Sequence, residues 1–232
     1  GEVFVTDTGN RRIAVFDRNA TFLRELRAPE SAFLPETFIF TPSKVILDNR
    51  GYVYIATKGG YQGLLQMTPD GEFSGFFGAN KVEFSWIESL KRQFYTEAQL
   101  NEEQARLPGS ITNMTVDDRG FIYTVNKNLK TGQLKRLNFG GVDLLGNTNF
   151  TPWASPLDNY VFQDVAVDDN GVITVIEAGE GDIYQYAPDG ELMFMFGGAG
   201  SGERMGLFLR PTSIVVDSDG TIYIADGNAN VI

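Results

Sequence analysis

The sequence contains no cysteine and no histidine among its 232 residues. Without cysteine, the chain has no disulfide, no thiolate nucleophile and no cysteine-ligated zinc. Without histidine, it lacks the commonest general base and the commonest zinc ligand, so a Ser-His-Asp triad is excluded. What remains is carboxylate chemistry, an oxygen-ligated metal such as calcium, or no chemistry at all.

Positive charge and long apolar runs are also scarce. The chain has 19 Lys and Arg against 30 Asp and Glu, which gives a formal net charge of −11. An acidic surface repels phosphate backbones, so we expect no nucleic-acid partner. No run of about 18 apolar residues is present, so we expect membrane association only through segments absent from this chain.

The sequence does contain an internal repeat. Five segments align on a glycine that opens an alternating run rich in Val, Ile and Tyr. In four of them a β-branched run comes first, and an Asp stands three residues before the glycine. This pattern predicts a β-hairpin in each unit. The glycines are Gly1, Gly51, Gly120, Gly171 and Gly220, and the aspartates are Asp48, Asp117, Asp168 and Asp217.

A second hairpin follows the first in each complete unit, as in LLQMTPDGEFSGFFG, LKRLNFGGVDLLG and IYQYAPDGELMFMFG. Four strands per unit, joined by short turns, make one blade of a β-propeller. The sequence therefore predicts an all-β fold with a single domain over 1–232. The chain covers about five repeats and is expected to be truncated inside a blade at each end.

The phrases VTDTGNRRIAVFD and GGAGSGERMGLFLRPTSIVVDSDGTIYIAD resemble NHL repeats. This resemblance implies four-stranded NHL-type blades in a six-bladed propeller. The long insertion before the third repeat resembles, more narrowly, that of secreted or surface-exposed NHL proteins of Gram-positive bacteria, which implies an extracellular or cell-surface location.

An insertion separates the second and third repeats. Within residues 82–107, Trp86, Leu90 and Phe94 recur every four residues, which predicts a helical insertion with one apolar face. The apolar face either packs on the rim of the propeller or serves as a docking arm for a partner chain.

Candidate site residues stand six positions after each anchor glycine: Asp7, Thr57, Asn126, Glu177 and Asp226. In a propeller these equivalent strand ends form a ring on one face. The oxygens of Asp7, Asn126, Glu177 and Asp226 are of the kind that bind calcium. Alternatively, these side chains cap the turns that follow the strands. The loop aromatics Trp153 and Tyr160 are a further candidate surface for a sugar or a peptide, or they pack under the loop.

These observations leave three classes of function open, one of which is a purely structural spacer on a cell surface. The main one is a non-enzymatic extracellular or surface scaffold without a cofactor, which binds a protein, peptide or glycan through one face. The alternative is a calcium-dependent lactonase-type hydrolase with a central ring of acidic and Asn side chains. The missing histidine favours the scaffold, because carboxylates alone serve poorly as bases at neutral pH.

Overall fold

A computed structural model of the chain describes residues 1–31, 34, 38–58, 63–78, 111–127, 129, 131–146, 148–151, 161–200 and 204–227. The regular elements of these residues are all β-strands, which confirms the predicted all-β class. Among the described residues there is no helix long and apolar enough to cross a membrane. The helix predicted within residues 82–107 lies outside the described residues.

The chain divides into two compact units. The first comprises Gly1–Val45 and Val53–Ser110, and the second comprises Ile46–Tyr52 and Ile111–Ile232. In the first unit, strands β1, β2 and β3 form one antiparallel sheet, and β4 opens a second sheet with the order β4-β5-β6-β7. These strands are β1 (Val3–Asp7), β2 (Arg12–Phe16), β3 (Phe22–Leu26), β4 (Pro42–Leu47), β5 (Val53–Thr57), β6 (Leu64–Met67) and β7 (Phe73–Phe77).

The second unit contains three antiparallel sheets from three successive repeats, with the orders β10-β9-β8, β11-β12-β13-β14 and β15-β16. Its strands are β8 (Ile111–Val116), β9 (Ile122–Asn126), β10 (Leu134–Leu137), β11 (Phe162–Val167), β12 (Ile173–Glu177), β13 (Asp182–Tyr186), β14 (Leu192–Gly197), β15 (Pro211–Val216) and β16 (Ile222–Asp226). The five segments that follow the anchor glycines are β1, β5, β9, β12 and β16, as the repeat predicted.

The turn before each of these strands explains the recurring Asp and Gly. In the fourth repeat, Gly171 donates its N–H to the Asp168 carbonyl at 2.9 Å, and its φ of +85° is one that a side chain disfavours. The Asp168 carboxylate accepts the N–H of Asn170 at 2.9 Å and that of Val172 at 2.8 Å. One side chain therefore closes the hairpin locally, as Asp side chains do in turns.

The sheets of the second unit pack face to face with their first strands adjacent. Strands β8 and β15 both pack against β11. Between the third and fourth repeats lies a core that includes Tyr123, Val175 and Tyr184, each with no exposed surface. Between the fourth and fifth repeats, Ile183 and Ile214 belong to a second core. Stacked sheets that meet along their first strands are the arrangement of neighbouring propeller blades.

The third repeat departs from the predicted four strands. After β10, the segment that should form the fourth strand makes only an isolated bridge between Leu137 and Asp143. The Asp143 carboxylate accepts the N–H of Arg136 at 3.2 Å and that of Leu145 at 3.1 Å. The Asp143 side chain thus takes the N–H of Arg136, which a fourth strand would otherwise accept, so no regular fourth strand forms. The chain then turns at Gly146, whose φ is +70°.

Candidate functional site

Each predicted ring residue is the last residue of its strand, namely Asp7 in β1, Thr57 in β5, Asn126 in β9, Glu177 in β12 and Asp226 in β16. In the second unit, each lies opposite the first residue of the neighbouring strand, in the pairs Asn126–Ile111, Glu177–Phe162 and Asp226–Pro211. These three residues therefore occupy equivalent positions at the strand ends of three adjacent sheets in this unit.

Glu177 is fully buried and binds backbone groups. Its Oε1 accepts the N–H groups of Val161 and Gly179, both at 2.9 Å, and its Oε2 accepts the N–H of Glu180 at 2.6 Å. A Cβ on Gly179 would lie only 3.0 Å from Oε1, so this approach favours glycine. Through these hydrogen bonds, the carboxylate connects the segment before β11 with the turn after β12.

Asp226 and Asp7 also bind groups of nearby loops. Asp226 is 4% exposed and accepts the N–H groups of Leu209 at 2.7 Å and Arg210 at 2.9 Å, just before β15. In the first unit, hydrogen bonds from Asn10 and Arg12 lower the pKa of Asp7 below its ordinary value. These contacts are the ones expected of side chains that fix loops.

Asn126 differs from the other ring residues because its amide oxygen accepts no hydrogen bond from any described residue, although it is fully buried. The Asn126 side chain is 1% exposed, and its Nδ2 faces the carbonyls of Gly132 and Gln133 at 3.5 Å each. Rotating the amide would bring oxygen against those two oxygens, so the neighbours fix its orientation. A buried acceptor without a donor costs about 1–3 kcal/mol, so a donor or a cation at Oδ1 would stabilise the site.

The segment beside Asn126 is polar and buried. Gln133 donates from its Nε2 to Asn149 Oδ1 at 3.1 Å and accepts the N–H of Phe150 at 3.2 Å through Oε1. The same Nε2 lies 3.4 Å from the Oγ1 of Thr151, a residue that is 4% exposed. These hydrogen bonds hold the backbone beside Asn126 in place.

A second cluster, which the sequence analysis did not identify, joins the three first strands of this unit. Asp164 is 4% exposed and accepts four donors: Asn113 Nδ2, the N–H of Val165 at 2.8 Å, Ser213 Oγ at 2.8 Å and the N–H of Ile214 at 2.9 Å. Its carboxylate therefore connects β8, β11 and β15. The sequence does contain a signal for this cluster, because Asn113, Asp164 and Ser213 each stand four residues before a turn aspartate.

A β-bulge near the start of each first strand accompanies this cluster. Register shifts occur between Ile111 and Asn113, between Phe162 and Asp164, and between Pro211 and Ser213. A bulge redirects the side chains around it. The extra residue Thr112 donates its hydroxyl to the Val125 carbonyl at 3.0 Å, and Thr212 does the same to the Ala225 carbonyl at 3.1 Å.

Two carboxyl groups at this end of the second unit, those of Asp164 and Glu177, are buried. Neither Asp164 nor Glu177 forms an ion pair with any described Lys or Arg. The described residues contain no group of three or more carboxylates placed to share a metal ion. At the positions expected to bind calcium, the described residues therefore present Asn126 and single carboxyl groups and no acidic cluster. Trp153 and Tyr160 lie outside the described residues.

Comparison with solved structures identifies the fold. Virginiamycin B lyase from Staphylococcus aureus matches with a TM-score of 0.61 and 12% identity, over 97% of this chain and 60% of the lyase. A gluconolactonase from Xanthomonas campestris matches with a TM-score of 0.60 and 15% identity, over 97% of this chain and 66% of that enzyme. A catalytically inactive His-to-Ala variant of the lyase, solved with quinupristin, matches with a TM-score of 0.60 and 11% identity, over 97% of this chain and 60% of that chain.

These likenesses show that the chain has a β-propeller fold, and it spans 60% of the length of the lyase. No family model matches the chain, and no curated protein matches it in sequence. The expectation of a non-enzymatic scaffold was wrong, because the proteins that share the fold include a gluconolactonase and a lyase. The missing histidine was given too much weight, since amide and carboxylate oxygens remain available for metal-assisted chemistry.

Proposed function

We propose that the chain belongs to a lactonase-type hydrolase that works with an oxygen-bound divalent cation, calcium in the first instance. The observation that carries this proposal is the buried Asn126 oxygen, which has no donor among the described residues and lies at a ring position. The fold, shared with a gluconolactonase, supports it.

The oxygen atoms of three ring residues suit a hard cation such as calcium. Asn126, Glu177 and Asp226 offer only oxygen atoms, which calcium prefers. Glu177 already accepts three backbone N–H groups, but two carboxylate oxygens provide about four acceptor positions, so one remains. Asn126 would hold the ion through its free amide oxygen, with Glu177 and Asp226 as the candidate anionic ligands.

The reaction would be the hydrolysis of a cyclic ester. Water adds to the ester carbonyl, the ring C–O bond breaks, and an open hydroxy acid forms. A bound divalent cation would polarise the carbonyl oxygen and acidify a bound water. The chain's own contribution is to fix the site: Glu177 and Asp226 hold the loops that enter β11 and β15, and Asp164 holds the three first strands in register.

Lactone hydrolysis is better supported than a lyase reaction of the virginiamycin B type. A lyase variant with one histidine replaced by alanine is catalytically inactive. The 232 residues, which span 60% of the length of the lyase, contain no histidine. In hydrolysis assisted by a bound divalent cation, the cation would polarise the ester carbonyl, so the reaction would not depend on an imidazole alone.

Calorimetry with calcium and an assay of gluconolactone hydrolysis test the proposal. We expect Asn126→Ala to weaken calcium binding by about tenfold or more and to lower hydrolysis, because it removes the free oxygen. Asn170→Ala is the matched control, since Asn170 lies exposed in a turn and should leave both measurements unchanged. If the unaltered protein neither binds calcium nor hydrolyses any lactone, the proposal is wrong.

The finer features of the resemblance are also proposals. The phrases VTDTGNRRIAVFD and RPTSIVVDSDGTIYIAD support blades of the NHL type. An extracellular or cell-surface location is likewise proposed only from the resemblance to surface-exposed NHL proteins.

A further inference from the structure

Gln133 connects the Asn126 site with a polypeptide segment that follows the third sheet. It stands directly before β10, and it is 4% exposed. Its carbonyl accepts the backbone N–H of Asn126 at 2.8 Å and lies 3.5 Å from Asn126 Nδ2. Because a buried amide nitrogen needs an acceptor, the position of the Gln133 backbone determines where the Asn126 amide group can lie.

The side chain of Gln133 binds segment 148–151. Its Nε2 donates to Asn149 Oδ1 at 3.1 Å, and its Oε1 accepts the N–H of Phe150 at 3.2 Å. One residue therefore binds Asn126 through its backbone and segment 148–151 through its side chain.

Further contacts hold segment 148–151 in the second unit. The Gly132 N–H donates to the Thr148 carbonyl at 2.7 Å. The Tyr186 hydroxyl donates to the Phe150 carbonyl at 2.9 Å, and the ring of Phe150 packs edge-on against that of Tyr186 with 5.4 Å between the centroids. The segment is thus anchored in the core between the third and fourth repeats, where it gives the glutamine side chain a fixed support.

We infer that Gln133 is a positioning residue for Asn126, and that it couples the docking of segment 148–151 to the binding of a cation at Asn126 Oδ1. This oxygen is buried and accepts no hydrogen bond from any described residue. Its direction depends on Nδ2 of the same amide, which faces the carbonyls of Gly132 and Gln133. The positioning role concerns the protein alone, whereas the coupling to a cation rests on the proposed function.

The coupling acts in both directions, as thermodynamic linkage requires. Loosening segment 148–151 weakens cation binding, because the Asn126 oxygen must then be oriented at the moment of binding. A bound cation in turn favours the docked segment, so the N–H of Phe150 exchanges with solvent more slowly. The coupling is therefore a means of regulation: any change that lifts the segment lowers the affinity for the cation.

Nuclear magnetic resonance of the Asn126 side-chain amide, recorded without calcium, tests the positioning role. Asn126→Ala identifies the signal by its loss. We expect Gln133→Met, which keeps the length of the side chain but not its hydrogen bonds, to shift this signal and to speed the exchange of its protons with water. Gln185→Met is the matched control, because it also removes a hydrogen bond of a half-buried glutamine, that to Thr174 at 3.4 Å, and should leave the signal unchanged. An Asn126 signal that Gln133→Met leaves in place overturns the inference.

Calorimetry with calcium tests the coupling. We expect Gln133→Met to raise the dissociation constant about fivefold or more, the usual size of such a coupling. In an Asn126→Ala background the same substitution should have no further effect, because Gln133 acts through Asn126. Calcium should also slow the amide exchange of Phe150 in the unaltered protein. Equal effects of Gln133→Met with and without the Asn126 side chain would mean a general loosening and would contradict the coupling.

Asn149→Ala repeats both measurements with a smaller change, and so keeps the test valid if Gln133→Met does not fold. Asn149 is exposed, and its loss removes the acceptor of Gln133 Nε2. We expect changes in the same direction as for Gln133→Met, and no change in either measurement would refute the inference. If the unaltered protein binds no calcium, the proposed function and the coupling are wrong, whereas the Asn126 amide signal still decides the positioning role of Gln133.

Discussion

At the scale of single residues, the second unit depends on buried carboxyl groups that each accept several hydrogen bonds. Asp164 receives four donors and Glu177 three, and neither has a described Lys or Arg as a partner. A buried polar group is tolerated when its hydrogen-bonding positions are filled in this way. Each such carboxylate therefore fixes several backbone segments at once.

Asp164→Asn tests how much that arrangement contributes. The substitution keeps the shape of the side chain but turns its Nδ2 toward a donor, either the N–H of Val165 or that of Ile214. We expect a loss of about 2–3 kcal/mol in the free energy of unfolding, measured by urea denaturation. Asp219→Asn, at an exposed turn position, is the control and should change stability by less than about 0.5 kcal/mol. Equal effects of the two substitutions would contradict the assigned role of Asp164.

At the scale of elements, the bulges at the start of the first strands β8 and β15 combine a register shift with a hydrogen bond from a Thr hydroxyl to a backbone carbonyl. The Thr112 hydroxyl lies within hydrogen-bond distance of the carbonyls of Val125 and Phe162. It thus links β8 to its own sheet and to the next repeat. Ser43 makes the equivalent bond to the Ala56 carbonyl at 3.0 Å in the first unit.

Thr112→Val should therefore destabilise the protein by about 1 kcal/mol, because valine has the same shape but no hydroxyl. Thr115→Val is the matched control, since Thr115 lies in the same strand and no side-chain hydrogen bond is described for it. Thermal unfolding of both variants measures the difference. A Thr115 variant as destabilised as the Thr112 variant would show that strand packing, and not the bond, is responsible.

At the scale of the whole molecule, the repeat predicted the elements that local chemistry determines. The Asp-x-x-Gly turns and the strands that follow them depend on residues within about four positions, such as Asp168 and Val172, so the sequence revealed them. The cluster of Asn113, Asp164 and Ser213 depends on bonds between different repeats and on bulges that no local pattern specifies. The same applies to the third repeat, where the Asp143 side chain replaces a ladder bond.

Buried tyrosines predict the response of the molecule to alkaline pH. Burial, and next to it the charge of Asp117, raises the pKa of Tyr123 to about 12. A phenol with a pKa near 10 when unfolded therefore contributes stability in full below pH 10, and this contribution is lost as pH rises through 12. We expect Tyr123→Phe to flatten the fall in stability between about pH 10 and 12.

Tyr223 provides the comparison for this measurement. Its hydroxyl donates to Asp217 at 3.1 Å, as that of Tyr123 donates to Asp117, but Tyr223 is 45% exposed. Tyr223→Phe should change the alkaline limb of the stability curve much less. Phenolate absorbance recorded during the pH titration distinguishes the two residues. Identical curves for both variants would mean that burial does not control the ionisation.

The Asp164 cluster has a consequence for how the chain folds. Asn113 and Asp164 are 51 residues apart in sequence, and Asp164 and Ser213 are 49 apart. Each bond therefore joins a repeat to its immediate neighbour and to no other. We therefore expect the second unit to assemble stepwise, because every added sheet would close a loop of nearly the same length onto the one already formed, at nearly the same entropic cost.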